Sequence, residues 1–159
     1  MKKQEKTNVM RILDQHGIPY QSYDYSGTGA VGGTEVAEVL GEDPAHVFKT
    51  LVTVGKSGQH YVFDIPVAEE LDLKKAAAAV GEKSIAMIRA KELLPLTGYV
   101  HGGCSPVGMK KPFPTVFHLT AESLNMVFVS AGRIGSQIEV APGDLQRIVP
   151  FSYADVCVD

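Results

Sequence analysis

Two strand-like segments separated by a tight turn constrain the fold more than any other part of the chain. Residues 47–54, VFKTLVTV, are rich in β-branched side chains, and residues 59–66 continue with apolar side chains at alternate positions, namely Tyr61, Phe63 and Ile65. The connection between them is Gly-Lys-Ser-Gly, a composition typical of a turn. Two strands joined this closely pair in antiparallel order. The sequence therefore predicts a β-hairpin, around which the other elements must pack.

The rest of the chain alternates irregularly between short helices and short strands. Amphipathic spacing and capping residues predict helices over 8–16, 34–40, 72–80, 120–124 and from Pro142 onward. Runs of β-branched and aromatic residues predict strands over 19–25, 84–88, 115–119, 126–130 and 136–140, and residues 151–158 form a final segment. Because most of these strands follow in hairpin or meander order, the pattern favours an α+β fold with a mixed sheet over a repeating βαβ array.

Length and composition are those of a soluble globular protein with one domain, residues 1–159. Of the 159 residues, 45% are hydrophobic and 21% are charged, which suffices for a single core. No apolar run is long enough to span a membrane, and the charged start MKKQEK leads into a polar segment and not into the apolar core of a signal peptide. We therefore expect a cytoplasmic protein.

The charge balance limits how the chain could bind nucleic acid. Its formal net charge is -3, so the surface as a whole does not attract RNA. Binding would depend on a local basic patch, for which Lys74, Lys75 and Lys83 are candidates, or on a partner protein that carries most of the affinity.

Cysteine and histidine usage argues against a metal site. The two cysteines, Cys104 and Cys157, form no CxxC pair, and the five histidines are scattered singly along the chain. We expect neither a metal nor another cofactor.

A glycine-rich loop over residues 101–111, HGGCSPVGMKK, is the best candidate for the chemistry. Glycine and proline give its backbone conformations that expose amides to an anion or a developing oxyanion. The composition fits equally well a tight connection that needs glycine only for its turns. The loop is not a nucleotide-binding P-loop, because Met109 separates Gly108 from Lys110. Cys104 could be a nucleophile, but a small packed thiol is the commoner role for such a residue.

Four blocks of sequence carry a resemblance to a known family, YbaK/EbsC. They follow in the family's order and spacing: VFKTLV at 47–52, LDLKK at 71–75, GYVHGGCSPVGMKK at 98–111 and VSAGR at 129–133. Four blocks in register are far more specific than any one of them. By this resemblance the chain is identified as a member along nearly its whole length.

The resemblance implies both a fold and an activity. It implies a single domain with a curved, mixed, partly barrel-like sheet flanked by short helices. Members resemble the editing domain inserted in bacterial prolyl-tRNA synthetases, and the family's best-known activity is hydrolysis of mischarged aminoacyl-tRNA, typically Cys-tRNA(Pro). The implied partners are the aminoacyl 3′ end of a mischarged tRNA and prolyl-tRNA synthetase.

The resemblance also assigns roles to particular residues. A lysine in a strand usually points to solvent, but in the family the lysine of Lys-Thr-Leu, here Lys49, lies in the substrate pocket and can hold a phosphate of the tRNA 3′ end. Catalytic roles are thereby implied for Lys49, Gly102, Gly103 and Ser105, with the loop's backbone amides stabilising the carbonyl oxygen. Substrate contacts are implied for Tyr25, Thr50, Cys104, Pro106, Ser130 and Gly132. The attacking group would be the thiol of a cysteinyl substrate or a water molecule.

Two departures from the family leave other functions open. Gln137 stands where an aspartate is common among relatives, which bears on which amino acid is removed, and residues 27–33 match the family poorly. One alternative is an editing hydrolase for alanine or another small residue. Others are a non-catalytic tRNA- or synthetase-binding module or regulator, and a thiol hydrolase that uses Cys104.

Overall fold

The computed structural model describes residues 5–159. Residues 1–4, part of the charged start from which the absence of a signal peptide was predicted, lie outside the described residues. The α-helices of the described chain are α1 Asn8–Gln15, α2 Gly33–Leu40, α3 Leu73–Val80, α4 Leu93–Thr97 and α5 Pro142–Leu145. Short 3-10 turns occupy Ser26–Thr28, Pro44–His46, Ala90–Glu92 and Leu119–Ser123. None of these helices is both long and apolar enough to cross a membrane.

Side-chain caps explain where two of the helices begin. The hydroxyl of Thr7 accepts a hydrogen bond from the N–H of Met10 at 3.2 Å, at the start of α1. The carboxylate of Asp72 accepts from the N–H groups of Lys74 and Lys75 at 2.9 and 3.0 Å, at the start of α3. These bonds satisfy amides that have no partner within the helix. Both starts were predicted from the sequence.

The strands form two sheets. Their bounds are β1 Gln21–Asp24, β2 Phe48–Gly55, β3 His60–Pro66, β4 Ile85–Met87, β5 Thr115–His118, β6 Val127–Ser130, β7 Ser136–Val140 and β8 Phe151–Ala154. The larger sheet has the order β4-β2-β3-β5-β8, and the smaller one β1-β7-β6. A parallel bridge between Val47 and Phe128 links the two. The α+β class and the predicted β2–β3 hairpin are thus confirmed.

Strand order is where the sequence prediction was wrong. β5 runs parallel to both β3 and β8 in the larger sheet, and β1 pairs with β7 from the other end of the chain. Hairpin order therefore holds for β2–β3 and β6–β7 but not for most strands. The connections that carry the parallel strands contain helices, as a crossover requires. The sheets also remain open and do not close into a barrel.

The main hydrophobic core brings α1 together with strands from both sheets. It contains Val9 and Leu13 from α1, Phe117 from β5 and Ile138 from β7, all 0% exposed. A second core on the other face of the larger sheet packs Phe63 and Ile65 against α3. The two cores therefore cover both faces of the larger sheet at β2 and β3. This packing holds the two strands in place relative to the smaller sheet.

One of the candidate RNA-binding lysines is instead used within the fold. The ammonium group of Lys75 lies 2.7 Å from a carboxylate oxygen of Asp159, 2.9 Å from the carbonyl of Cys157 and 3.2 Å from Asp155. The prediction that Lys75 contributes free positive charge is therefore wrong.

Candidate functional site

A cavity of about 400 Å³ lies where the two sheets separate. Its lining comes mainly from β2, from the start of α2, from the glycine-rich loop and from strands β6 and β7 of the smaller sheet. The polar and ionisable side chains at its wall are Tyr25, Thr34, Lys49, Thr50, His101, Cys104, Ser130 and Gln137. This size is sufficient for a small ligand group such as an aminoacyl adenosine end.

The geometry of β2 explains why the cavity forms here. At its start, Val47 bridges to Phe128 of the smaller sheet, and at its end Thr53–Gly55 pair with β4. Between these two attachments the strand is paired with β3 on one edge, and the other edge borders the cavity. The middle of β2 is therefore a wall made partly of main chain.

Lys49 is positioned in this wall with little to neutralise it. Its ammonium nitrogen lies 3.3 Å from the carbonyl oxygen of Val67. None of the ion pairs within residues 5–159 includes Lys49. A half-buried ammonium group with one neutral acceptor can still bind an anion such as a phosphate.

The glycine-rich loop packs directly against a second one, residues 130–135, SAGRIG. Gly102 has φ +87°, and a Cβ there would lie 2.9 Å from Cγ1 of Val31 at the rim of the cavity. Gly103 faces the second loop, where a Cβ would lie 2.9 Å from the backbone nitrogen of Ile134 and 3.0 Å from the carbonyl carbon of Arg133. The resemblance implied this proximity of the loops. Gly102 thus borders the cavity, whereas Gly103 allows the backbones of the two loops to pack closely.

Residues 105–107 support the glycine loop from behind. Ser105 is 0% exposed, and its hydroxyl accepts a hydrogen bond from the N–H of Val107 at 3.2 Å. The phenol of Tyr99 donates to the carbonyl of Val107. Pro106 is buried. These bonds hold the loop in shape away from the cavity surface.

The structure places the predicted site residues in two groups. Those that border the cavity are Tyr25, Lys49, Thr50, Gly102, Cys104 and Ser130. Those outside its lining are Gly103, Ser105, Pro106 and Gly132. A Cβ on Gly132 would lie 3.0 Å from Cγ2 of Val9 and 3.2 Å from the ring of Tyr99, so this glycine allows the second loop to pack on α1.

The backbone donors of the loop are also divided. The N–H of Gly103 already donates to the carbonyl of Val100 at 3.0 Å, and Pro106 has no N–H to offer. Gly102 and Cys104 border the cavity, and their N–H groups donate to no described residue. These two amides can therefore donate to a ligand oxygen.

The thiol of Cys104 is not activated. Burial is the main cause that raises its pKa to about 12, the charge of Asp64 adds to the effect, and a hydrogen bond with Thr97 opposes it. A nucleophilic cysteine needs the opposite environment, one that favours the thiolate. The surroundings of Cys104 therefore argue against a thiol hydrolase.

Asp64 is a residue of the site that sequence reasoning missed. It lies in β3 and is 0% exposed, and its Oδ1 lies 2.5 Å from the hydroxyl oxygen of Thr50, within hydrogen-bond distance. Burial raises the pKa of Asp64 to about 8, and the hydrogen bond with Thr50 acts against that rise. The alternation in residues 59–66 directed attention to the apolar side chains, although an aspartate between Phe63 and Ile65 was itself a signal.

Gln137 contributes an amide to the cavity. The residue is 3% exposed, and its Oε1 has no hydrogen-bond partner among the described residues. Its side chain bonds to Glu42, and this bond opposes the burial that raises the pKa of Glu42 to about 7. The position that departs from the family pattern thus lies at the cavity wall, with an acceptor atom free.

Replacing Gly103 by alanine is expected to lower the melting temperature by roughly 5 °C. The new Cβ would meet the backbone of Ile134 and Arg133 at 2.9 and 3.0 Å, and overpacking of this kind costs about 1–3 kcal/mol. Gly143→Ala is the matched control, because a Cβ there has nothing within 4 Å. Scanning calorimetry of both variants is the measurement, and equal melting temperatures would contradict the loop packing.

Comparison with known proteins agrees with this arrangement. A family model described as "Aminoacyl-tRNA editing domain" matches residues 30–148. The chain belongs to the aminoacyl-tRNA editing domain family. A curated relative, the protein of Enterococcus faecalis (strain ATCC 700802 / V583) named as a Cys-tRNA(Pro)/Cys-tRNA(Cys) deacylase, EbsC, is 44% identical over 156 residues, which cover 98% of this chain and 95% of the relative. The resemblance drawn from the four sequence blocks is thereby confirmed.

Solved structures of other proteins share the fold. The hypothetical protein APE2540 is 24% identical, with a TM-score of 0.87 over 96% of this chain and all of the other. A structure described as a trans-editing enzyme for prolyl tRNA synthetase is also 24% identical, with a TM-score of 0.82 over 98% of this chain and all of the other. The region matched by the family model, residues 30–148, includes every residue that lines the cavity except Tyr25.

Proposed function

We propose that this protein deacylates mischarged aminoacyl-tRNA, with Cys-tRNA(Pro) as its substrate. Its editing domain spans residues 1–159, and it acts in the cytoplasm in trans to the synthetase that made the error. The observation that carries the proposal is the meeting of Lys49 and the Gly102 loop at one cavity that holds no activated nucleophile. The name of the E. faecalis relative supports the choice of substrate.

The cavity suggests how the ester is held. The ammonium group of Lys49 would bind a phosphate of the tRNA 3′ end, since the fold leaves its charge without a carboxylate partner. Tyr25, which also borders the cavity, would pack on the adenosine. The ester carbonyl would then face the amides of Gly102 and Cys104.

Hydrolysis in such a site needs positioning and charge stabilisation more than a protein nucleophile. The amides of the Gly102 loop would stabilise the negative charge that develops on the carbonyl oxygen. The attacking group is either the thiol of the cysteinyl substrate or water, held close to the ester in a site that excludes bulk solvent. Cys104 stays protonated and contributes packing.

A panel of mischarged tRNAs tests the proposal. Purified protein should release cysteine from Cys-tRNA(Pro) and leave Pro-tRNA(Pro) intact. Ala-tRNA(Pro), which has no thiol, separates attack by the substrate from attack by water. If alanine is released as fast as cysteine, the protein belongs to the alternative class, the editing hydrolases for small residues. The observation that favours this alternative is the amide oxygen of Gln137, which has no hydrogen-bond partner among the described residues.

Free tRNA is expected to bind weakly, with a Kd in the micromolar range or above at physiological salt. The net charge is -3, and Lys75 is held by carboxylates of the fold, so few cations remain for a long RNA footprint. Prolyl-tRNA synthetase is the proposed partner that supplies the missing affinity. Fluorescence anisotropy with and without the synthetase is the measurement, and nanomolar binding of tRNA alone would contradict the dependence on a partner.

A further inference from the structure

A buried carboxyl group lies directly behind the wall of the cavity. Asp64 of β3 stands opposite Thr50 of β2 in the antiparallel register, so both side chains are on the same face of the sheet. Asp64 is 0% exposed, and its Oδ1 lies 2.5 Å from the hydroxyl oxygen of Thr50. Thr50 is half-buried and borders the cavity. Its hydroxyl thus connects a fully buried acid to the space that a ligand occupies.

The other oxygen of Asp64 is left without a partner. Oδ2 is buried and makes no hydrogen bond to any residue between 5 and 159. The neighbouring cation along β2, Lys49, directs its ammonium group to the carbonyl of Val67. An ionised carboxylate here would have one hydrogen bond and no counter-charge, which is costly in a buried place. A neutral acid fits these surroundings better.

The groups on the other elements packed around Asp64 do not reverse its preference for the neutral, protonated form. Its register partner on β5 is Phe117, which is apolar. From the glycine loop comes Cys104, which stays a neutral thiol because burial raises its pKa. The remaining ionisable side chains of the cavity wall are Tyr25, Lys49 and His101. Burial raises the pKa of Asp64 to about 8, in agreement with the geometry.

We propose that Asp64 is a positioning residue, which as a neutral acid donates a hydrogen bond to the hydroxyl oxygen of Thr50 and leaves the Thr50 O–H free to donate into the cavity. A carboxylate can only accept. When Asp64 is ionised, the Thr50 hydroxyl therefore donates to it and offers the cavity lone pairs alone. Asp64 thus determines whether the wall at Thr50 is a donor.

This donor would act on the same atom as the loop amides. The inference rests on the proposed function, because the acceptor in the cavity is the carbonyl oxygen of the aminoacyl ester. A hydroxyl aimed at a developing negative charge stabilises it in the transition state. Thr50 would then touch the reacting group, and Asp64 would act through Thr50.

Single-turnover deacylation of the mischarged tRNA that the panel identifies tests this role as a function of pH. In Asp64→Asn the amide N–H₂ can donate to Thr50 at every pH, so this variant should keep most of the activity. The ratio of its rate to that of the unchanged protein should increase, by up to about tenfold per pH unit, once Asp64 ionises. Taking this ratio removes the pH dependence of the ester and of the attacking group.

Other substitutions separate the donor from mere packing. Thr50→Val should lower the rate by about a hundredfold, the usual loss for one oxyanion donor. Asp64→Val leaves the Thr50 hydroxyl without the partner that orients it and should also lower the rate, but by less. Thr50→Ser keeps a hydroxyl and should restore most of the rate. A ratio of Asp64→Asn to unchanged protein that is flat with pH, or an Asp64→Val variant as active as Asp64→Asn, would overturn the inference.

Infrared difference spectroscopy decides the hydrogen bond without any substrate. The spectrum of the unchanged protein minus that of Asp64→Asn at neutral pH should contain the C=O stretch of a protonated carboxylic acid, and Thr50→Val should shift it. Absence of this band overturns the inference whatever the activity. If the band is present and shifts but no mischarged tRNA is deacylated, the proposed function fails while the arrangement of Asp64 and Thr50 stands.

Discussion

Lys49→Ala is expected to lower the rate of single-turnover deacylation by about ten- to a hundredfold or more. The substitution removes a charge-assisted contact to the tRNA 3′ end, which is worth about 1.5–3 kcal/mol. Because the Lys49 ammonium group has only the carbonyl of Val67 as a hydrogen-bond partner among residues 5–159, its removal should leave stability nearly unchanged. Lys56→Ala is the matched control, because Lys56 is an exposed lysine that follows the last residue of β2 and does not border the cavity.

Cys104→Ala gives the opposing arm of this experiment. If Cys104 only packs, its replacement should cost little, and no acyl adduct should be trapped on the protein. If it were a nucleophile, its loss should cost on the order of a thousandfold or more. An inactive Cys104→Ala together with a near-normal Lys49→Ala would exclude the proposed mechanism, since it would assign the reaction to a thiol that burial keeps protonated.

Asp64→Asn is expected to change how stability depends on pH. The pKa of Asp64 is raised from about 3.9 in an unfolded chain to about 8 in the fold. The folded state therefore binds more protons than the unfolded state between these values, so the free energy of unfolding falls as pH rises from about 4 to about 8. The expected loss is on the order of several kcal/mol, and the asparagine variant should not show it.

Urea unfolding at mildly acid, neutral and alkaline pH measures this effect. The free energy of unfolding of Asp64→Asn, relative to that of the unchanged protein, should increase with each step from mildly acid to alkaline pH. Glu42, whose pKa burial raises to about 7, acts in the same direction and remains in the variant, so some dependence should persist. Glu38→Gln, at an exposed carboxylate of α2, is the control. Parallel curves for Asp64→Asn and the unchanged protein would show that Asp64 ionises normally in the fold.

Local sequence patterns were sufficient for α1, α2, α3 and α5 and for the central hairpin, whereas α4 was not predicted and the helix predicted over 120–124 is a 3-10 turn. The caps at Thr7 and Asp72, and the turn between β2 and β3, depend on residues close to one another in the chain. The pairing of β3 with β5 depends on contacts across the intervening helices. Such a pairing leaves no local pattern in the sequence, so a hairpin order was predicted where a parallel one occurs.

The candidate site shows the same division between local and distant causes. From the sequence, Gly102 and Gly103 look interchangeable, but one borders the cavity and the other fits against the backbone of Ile134. Asp64 was missed because an alternating strand suggests one solvated face, whereas β3 is covered on both. The position of Lys49 was obtained through the family resemblance, since nothing in its own strand pattern distinguishes it from a lysine in solvent.

The exposed middle of β2 has a consequence for how the site can vary. Between the Val47 bridge and the pairing with β4, the strand presents its main-chain edge to the cavity. The main-chain N–H and C=O groups are the same whichever side chains the strand carries. A ligand that contacts this edge is therefore recognised by groups that a point mutation does not change. Side chains around it, Gln137 among them, are free to diverge and change which amino acid is accepted. Substitutions around the cavity can therefore change its selectivity while contacts to this main-chain edge persist.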